Sequence, residues 1–218
     1  MNKQLPWSEI ETVFLDMDGT LLDLHFDNRF WQEHVPLRFG EKHGLSLEQA
    51  KQALYPRFKA AAGTIDWYCI DFWSRELGLD IAALKTELEH LIRVHPHVAE
   101  FLHCLGQTSR RVALLTNAHE KVVELKLRTT GLEHHFDELI CSHSFRIPKE
   151  DPRFWLRLAE ADPFHRDSTL FVDDSLPVLR AAKDYGIRYL RAVRLPDSKQ
   201  PPRETRGFIA VERFDELM

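Results

Sequence analysis

Apolar residues along the 218-residue chain gather into five short runs, at 12–16, 111–116, 138–142, 169–173 and 188–193, separated by more polar segments. Runs of this length, rich in β-branched, leucine and aromatic residues, predict strands buried on both faces. Between the later runs the apolar positions recur at helical spacing, which predicts helices near 121–130, 152–161 and 177–185. Gly131 and Gly186 stand where a left-handed residue would end two of these helices. Strand–helix alternation of this kind predicts the α/β class, a parallel sheet with helices packed on both faces. The proline- and charge-rich segment 196–206 reads as an extended surface loop.

Residues 28–94 break the alternation. They hold no strand-like run, and helical signals dominate. Ser46-Leu-Glu-Gln49 has the spacing of a capping box, and Ile81, Leu84, Leu88, Leu91 and Ile92 predict one helix following Asp80. The expected organisation is therefore a core made of 1–27 plus 95–218, with a helical cap, 28–94, inserted after the first strand. Within the cap, Trp67, Tyr68, Phe72 and Trp73 include pairs spaced to share a helix face. Such a group is either core or a stacking surface for a base, with Asp66 and Asp71 as neighbouring polar groups.

Composition narrows the partners. A hydrophobic content of 44% and a charged content of 29% suit a soluble globular protein. A net charge of -5 gives no electrostatic footprint for a nucleic-acid polymer. No apolar run approaches a membrane span, and the stretch Met1-Asn-Lys-Gln-Leu-Pro-Trp7 lacks a signal core. Cys69, Cys104 and Cys141 form no paired motif, which points to free thiols in a reducing cytoplasm. His95, His97, His134 and His135 lack the spacing and third partner of a zinc site. A small molecule is the expected partner, and a monomer or weak homo-oligomer the expected state.

The chemistry lies at the ends of the strand runs. Asp16-Met-Asp-Gly-Thr20 directly follows Thr12-Val-Phe-Leu15, so two carboxylates project to one side of an extended backbone before Gly19 lets the chain turn. Leu114-Leu-Thr-Asn117 ends the second run with short polar groups, Thr116 and Asn117, that suit either a helix cap or phosphate oxygens. Pro148-Lys149 places an ammonium ahead of a helix, and Leu170-Phe-Val-Asp-Asp174 ends the fourth run with two adjacent acids. Carboxylates ~4 Å apart repel by about 4 kcal/mol per pair at an effective dielectric of 20, so the cluster calls for a cation. Asp16 and Asp174, with the backbone carbonyl of Asp18, offer the oxygen ligands that magnesium takes beside a substrate phosphate. One aspartate can then attack phosphorus while a second handles the proton. Asp173 reads either as a further ligand or as a residue that caps a helix or orients a ligand.

These motifs, in this order, resemble the haloacid dehalogenase-like hydrolases. The resemblance implies that Asp16 is the nucleophile and Asp18 the general acid/base. Thr116 would bind phosphate, Lys149 would stabilise the charge of nucleophile and phosphate, and Asp174 would hold magnesium. The segments Phe26-Asp-Asn28, Asp66-Trp-Tyr-Cys-Ile-Asp-Phe-Trp73, Leu114-Leu-Thr-Asn-Ala-His119 and Pro148-Lys-Glu-Asp-Pro-Arg153 are similar to the bacterial GMP/IMP nucleotidase branch. That likeness implies a cytoplasmic, magnesium-dependent hydrolysis of purine nucleoside 5′-monophosphates. A sugar-phosphate phosphatase or phosphomutase on the same machinery, or a nucleotide-binding regulator, are the alternatives.

Overall fold

The computed structural model describes residues 4–218; Met1–Lys3, the first part of the stretch read as lacking a signal core, lie outside the described residues. Six parallel strands form one sheet: β1 (Thr12–Leu15), β2 (Arg111–Thr116), β3 (Glu138–Cys141), β4 (Thr169–Asp173), β5 (Tyr189–Val193) and β6 (Ile209–Val211). Their spatial order is β3-β2-β1-β4-β5-β6. From β1 the chain winds outward through β2 and β3, then returns to start again at β4 beside β1. The reversal therefore falls between β1 and β4, the place where open α/β sheets bind ligands beyond the carboxyl ends of their strands.

Alternation along the central strands divides the core into two layers. Val13 and Leu15 pack with Val112, Leu114, Leu170 and Val172 beneath α7 (Val98–Gly106) and α8 (Glu120–Thr130). Phe14 points the other way, with Ala113, Leu115 and Phe171, against α9 (Pro152–Ala161) and α10 (Leu176–Tyr185). Both faces of the sheet are covered, which is why the strands read as continuous apolar runs. Gly131 and Gly186 do end α8 and α10 in the left-handed region, at φ 71° and 106°.

The β1–β2 connection carries the helical insertion: α1 (His25–Arg29), a π-helical turn (Phe30–His34), α2 (Val35–His43), α3 (Leu47–Ala61), α4 (Ile65–Tyr68), α5 (Ile70–Leu77) and α6 (Ile81–Glu87). It buries a core of its own, including Phe30, Phe39, Leu54, Phe58, Trp73 and Ile81, and Val122 of α8 joins that cluster. Ser46 and Gln49 form the expected capping box at the start of α3.

Several expectations are corrected. Asp16 lies one residue beyond β1, and β3 and β5 are each one residue shorter than the runs 138–142 and 188–193. The helix read from Ile81 through Ile92 stops at Glu87; Leu88 leaves helical geometry, a 3-10 turn follows, and Ile92 is extended. Cys69 is also extended and its thiol accepts from the Phe72 amide, so Trp67 and Phe72 sit on separate helices, not on one face. Strand β6 and helix α7 were not anticipated; β6 is three residues long and only Val211 in it is buried. In the 196–206 loop, Pro196 and Asp197 are buried, contrary to a wholly surface segment.

Candidate active site

The carboxyl ends of β1, β2 and β4 bring the sequence motifs together. Lys149 is buried and its Nζ donates to Asp16 Oδ1 (2.5 Å), Asp173 Oδ2 (2.8 Å) and the Leu115 carbonyl (2.8 Å). Every proton of the ammonium thus has an acceptor. Its backbone is fixed as well: Lys149 N donates to Asn117 Oδ1 (2.9 Å), and the Lys149 carbonyl accepts from Trp155 Nε1 (2.9 Å). Burial penalises the charged Lys149, but the Asp16 and Asp173 carboxylates outweigh it and hold the ammonium above its ordinary range.

Asp16, Asp173 and Asp174 each offer an oxygen within 4.8 Å of the others. Three carboxylates thus crowd one buried ammonium. Burial raises Asp16 to about 6, with Asp173 adding to the rise and Lys149 opposing it. Asp174 is raised well above the usual range by burial and by the charges of Asp173 and Asp16. Gly19 makes the crowding possible. At φ 84° it adopts a turn that an L side chain resists, and a Cβ there would meet the Asp174 carboxyl carbon at 2.8 Å. An all-oxygen, net negative donor set matches a hard divalent cation. Of the acids read from the sequence, Asp173 has both oxygens engaged by protein donors, Lys149 Nζ on one and the Ser175 amide (2.7 Å) on the other.

Asp18 lines the same cavity as these acids but stands outside this three-acid group. Its Oδ1 accepts from Lys126 Nζ at 2.5 Å, and its side chain is not among the clustered acids; the ligation expected of Asp18 is through its backbone carbonyl. Lys126 also donates to Asp27 Oδ2 (2.6 Å), and Lys85 donates to Asp27 Oδ1 (2.9 Å). This run of charges, Lys85–Asp27–Lys126–Asp18, ties α6 and α1 of the insertion to α8 and to the first motif. Burial pushes Asp18 up to about 6, while Lys126 opposes the rise and Asp27 and Asp16 add to it. Burial would raise Asp27 too, but its two lysines prevail and hold it at about 2. Sequence reading missed Lys126 and Lys85. One signal was present: Lys126 falls four residues after Val122 on the buried face of an amphipathic helix, where a solvated lysine does not belong.

Thr116 ends β2, buried, and its Oγ1 accepts from the Ala118 amide (3.0 Å). Asn117 is committed on both sides of its amide, accepting from Lys149 N and donating to Glu150 Oε2 (2.9 Å). Tyr68 of the insertion donates to the other oxygen of Glu150 (2.9 Å). Thr116, Asn117 and Tyr68 all line a cavity of about 470 Å³ that also takes in Asp16, Asp18, Lys149, Asp173 and Asp174.

The insertion forms the other wall of that cavity. Trp31, Tyr55, Phe58 and Trp67 line it, and Trp31, Phe58 and Trp67 lie with ring centroids 5.7–5.9 Å apart. Of the four aromatic residues flagged in 67–73, Trp67 and Tyr68 reach the cavity, whereas Trp73 is core and Phe72 packs against it. Asp66 and Asp71 do not line it. Asp71 is half-buried and pairs with Lys121 Nζ at 2.8 Å, so its expected place beside a base is corrected. Polar residues that line the cavity with the aromatic ones include Asn28, Gln32 and Lys85.

The family model of haloacid dehalogenase-like hydrolases matches residues 10–186. The chain belongs to this family. It is 43% identical over 198 residues to the GMP/IMP nucleotidase YrfG of Escherichia coli, covering 91% of this chain and 89% of that protein. It is 24% identical over 204 residues to the 6-phosphogluconate phosphatase of Escherichia coli, covering 88% and 86%. Its fold is similar to that of a phosphatase of the family from Thermococcus onnurineus, with a TM-score of 0.76, 23% identity and 95% of each chain covered.

Proposed function

We propose that this chain is a magnesium-dependent phosphomonoesterase that hydrolyses purine nucleoside 5′-monophosphates, GMP and IMP foremost, through an aspartyl-phosphate on Asp16. The observation that carries the reading is the single cavity. At one end it holds a nucleophile-grade carboxylate beside a fully coordinated lysine, and at the other an aromatic wall. Asp16, Asp174 and the backbone carbonyl of Asp18 would hold the cation, which would supply charge neutralisation for the carboxylates and for an incoming phosphate. Residues 28–94 act as the cap that closes over the substrate.

In the first step a carboxylate oxygen of Asp16 attacks phosphorus and the bond from phosphorus to the ribose oxygen breaks. Asp18, raised to about 6 by burial, gives its proton to that leaving oxygen. Water then attacks the acyl phosphate, passing its proton to Asp18, and Asp16 and inorganic phosphate are released. Lys149 holds Asp16 in line and shares the phosphate charge, and Thr116 and the chain around Asn117 receive the phosphate oxygens. Asp173 positions Lys149, and Lys126 positions Asp18.

The purine assignment rests on the nucleotidase named above and on the stacking area of Trp31, Phe58 and Trp67, which a sugar phosphate would leave unused. The test is kcat/KM for GMP, IMP, AMP, CMP and 6-phosphogluconate at saturating magnesium. GMP and IMP are expected to lead. A pyrimidine nucleotide or 6-phosphogluconate matching GMP contradicts the purine reading and leaves the phosphatase standing.

Magnesium and protons compete for Asp16. A folded-state value of about 6 lies above the ordinary 3.8. Its contribution to stability is therefore present below about 3.8 and lost as pH rises through about 6. Bound cation cancels that loss. Magnesium is thus expected to raise the melting temperature clearly above pH 7 and little at about pH 5, because a ligand that displaces a proton weakens ~tenfold per pH unit below the group's pKa. Equal shifts at both pH values, read by differential scanning calorimetry, contradict cation binding at these carboxylates.

A further inference from the structure

The π-helical turn Phe30–His34 places two consecutive residues, Trp31 and Gln32, on the cavity wall opposite the carboxylates. π-helical turns within helical segments are uncommon and concentrate at functional sites. Trp31 gives an aromatic face. Gln32 gives an exposed carboxamide that Asn28 tethers on its nitrogen side.

That orientation is set by a chain of obligatory pairings. Asp197 is buried at 1% exposure and its carboxylate oxygens serve as acceptors, Oδ1 from the Lys199 amide at 2.8 Å. Asn28 therefore turns its Nδ2 towards Asp197 Oδ2, at 2.6 Å. Asn28 Oδ1 then faces Gln32 and accepts from Gln32 Nε2 at 3.3 Å. One N–H of Gln32 is engaged there, and its second N–H and its Oε1 remain for a ligand. Two other polar groups along the cavity are committed elsewhere, Lys85 to Asp27 and Tyr68 to Glu150, while Tyr55 and His119 also line it.

A free amide reads either kind of purine, because it can turn over to swap donor and acceptor. A fixed one cannot. The 6-oxopurines present O6 as acceptor beside N1–H as donor; adenine presents the reverse, an N6 donor beside an N1 acceptor. We infer that Gln32, oriented by Asn28 and through it by Asp197, is the specificity-determining residue of this cavity, donating to O6 and accepting from N1–H of a 6-oxopurine stacked on Trp31. The inference rests on the purine nucleotidase reading and adds to it the group that separates guanine and hypoxanthine from adenine. It also gives the buried Asp197, in a loop remote in sequence, a task at the site.

The experiment compares kcat/KM for IMP, AMP and ribose 5-phosphate in wild type, Gln32→Leu and Asn28→Leu. Ribose 5-phosphate carries the same phosphate and sugar without a base, so it reports the folded catalytic end in each variant. In Gln32→Leu the IMP to ribose 5-phosphate ratio is expected to fall roughly tenfold to a hundredfold, the effect of losing two hydrogen bonds. In Asn28→Leu the amide is released to turn, and the IMP to AMP ratio narrows. If Gln32→Leu keeps the wild-type ratios of IMP to AMP and of IMP to ribose 5-phosphate, Gln32 does not read the base and the inference is overturned, while the nucleotidase reading stands. If wild type itself shows no preference for IMP over AMP or over ribose 5-phosphate, the purine reading fails and the inference falls with it.

Discussion

Asp16→Asn is expected to abolish phosphate release from GMP, with kcat lowered by at least about 10⁴-fold, since removing a nucleophile from a covalent hydrolase has cost about 10⁶. An amide oxygen is a poor nucleophile and a weaker ligand for a cation. The fold should survive. Lys149 keeps Asp173 and the Leu115 carbonyl as acceptors, and the crowded site loses one of the carboxylates that burial penalises. The melting temperature of the metal-free variant above pH 7 is therefore expected not to fall, although breaking a buried ion pair ordinarily costs about 3–5 kcal/mol. Retained turnover, or a variant that loses activity only because it unfolds, contradicts the assigned role.

Asp18→Asn is expected to lose the proton donor for the first step and the proton acceptor for the second, each worth ~10²–10⁴-fold. The two steps separate by choice of substrate. A nucleotide has an alkoxide leaving group that needs the proton; an activated aryl phosphate does not. With GMP both steps suffer. With an aryl phosphate the acyl phosphate still forms, and only its hydrolysis is slow. Equal losses for the two substrates in the first step argue against Asp18 as the acid. Lys126 retains Asp27 in this variant, so the buried lysine is not left without a carboxylate.

Much of the frame was legible in the chain because its strands are buried on both faces and so appear as uninterrupted apolar runs. Thr12–Leu15, Arg111–Thr116 and Thr169–Asp173 are of this kind. The edge strand Ile209–Val211 is short and half-exposed, and gave no such run. Local periodicity also overreached at 81–92, where the apolar spacing continues but the chain turns at Leu88 to bring Ile92 onto the sheet-side core. The acids and Lys149 were legible because they close buried strands or precede a helix at fixed places. Lys85 and Asp27 were not, because each is an ordinary surface type in its own helix, and Lys126 was marked only by its place on the apolar face of α8; the packing of insertion on core makes one buried run of charges from them. The contact between Asp197 and Asn28 spans 169 residues and has no local signature at all.

The central claim is covalent catalysis at Asp16, and one measurement bears on it most directly. Asp18→Asn is mixed with an activated aryl phosphate and saturating magnesium, quenched in acid within the first turnover, and digested for mass spectrometry. The mechanism predicts a burst of phenol close to one equivalent per enzyme, and one phosphoryl group on the peptide that contains Asp16 and on no other. A burst without phosphoryl on that peptide, or phosphoryl carried by a different residue, contradicts it.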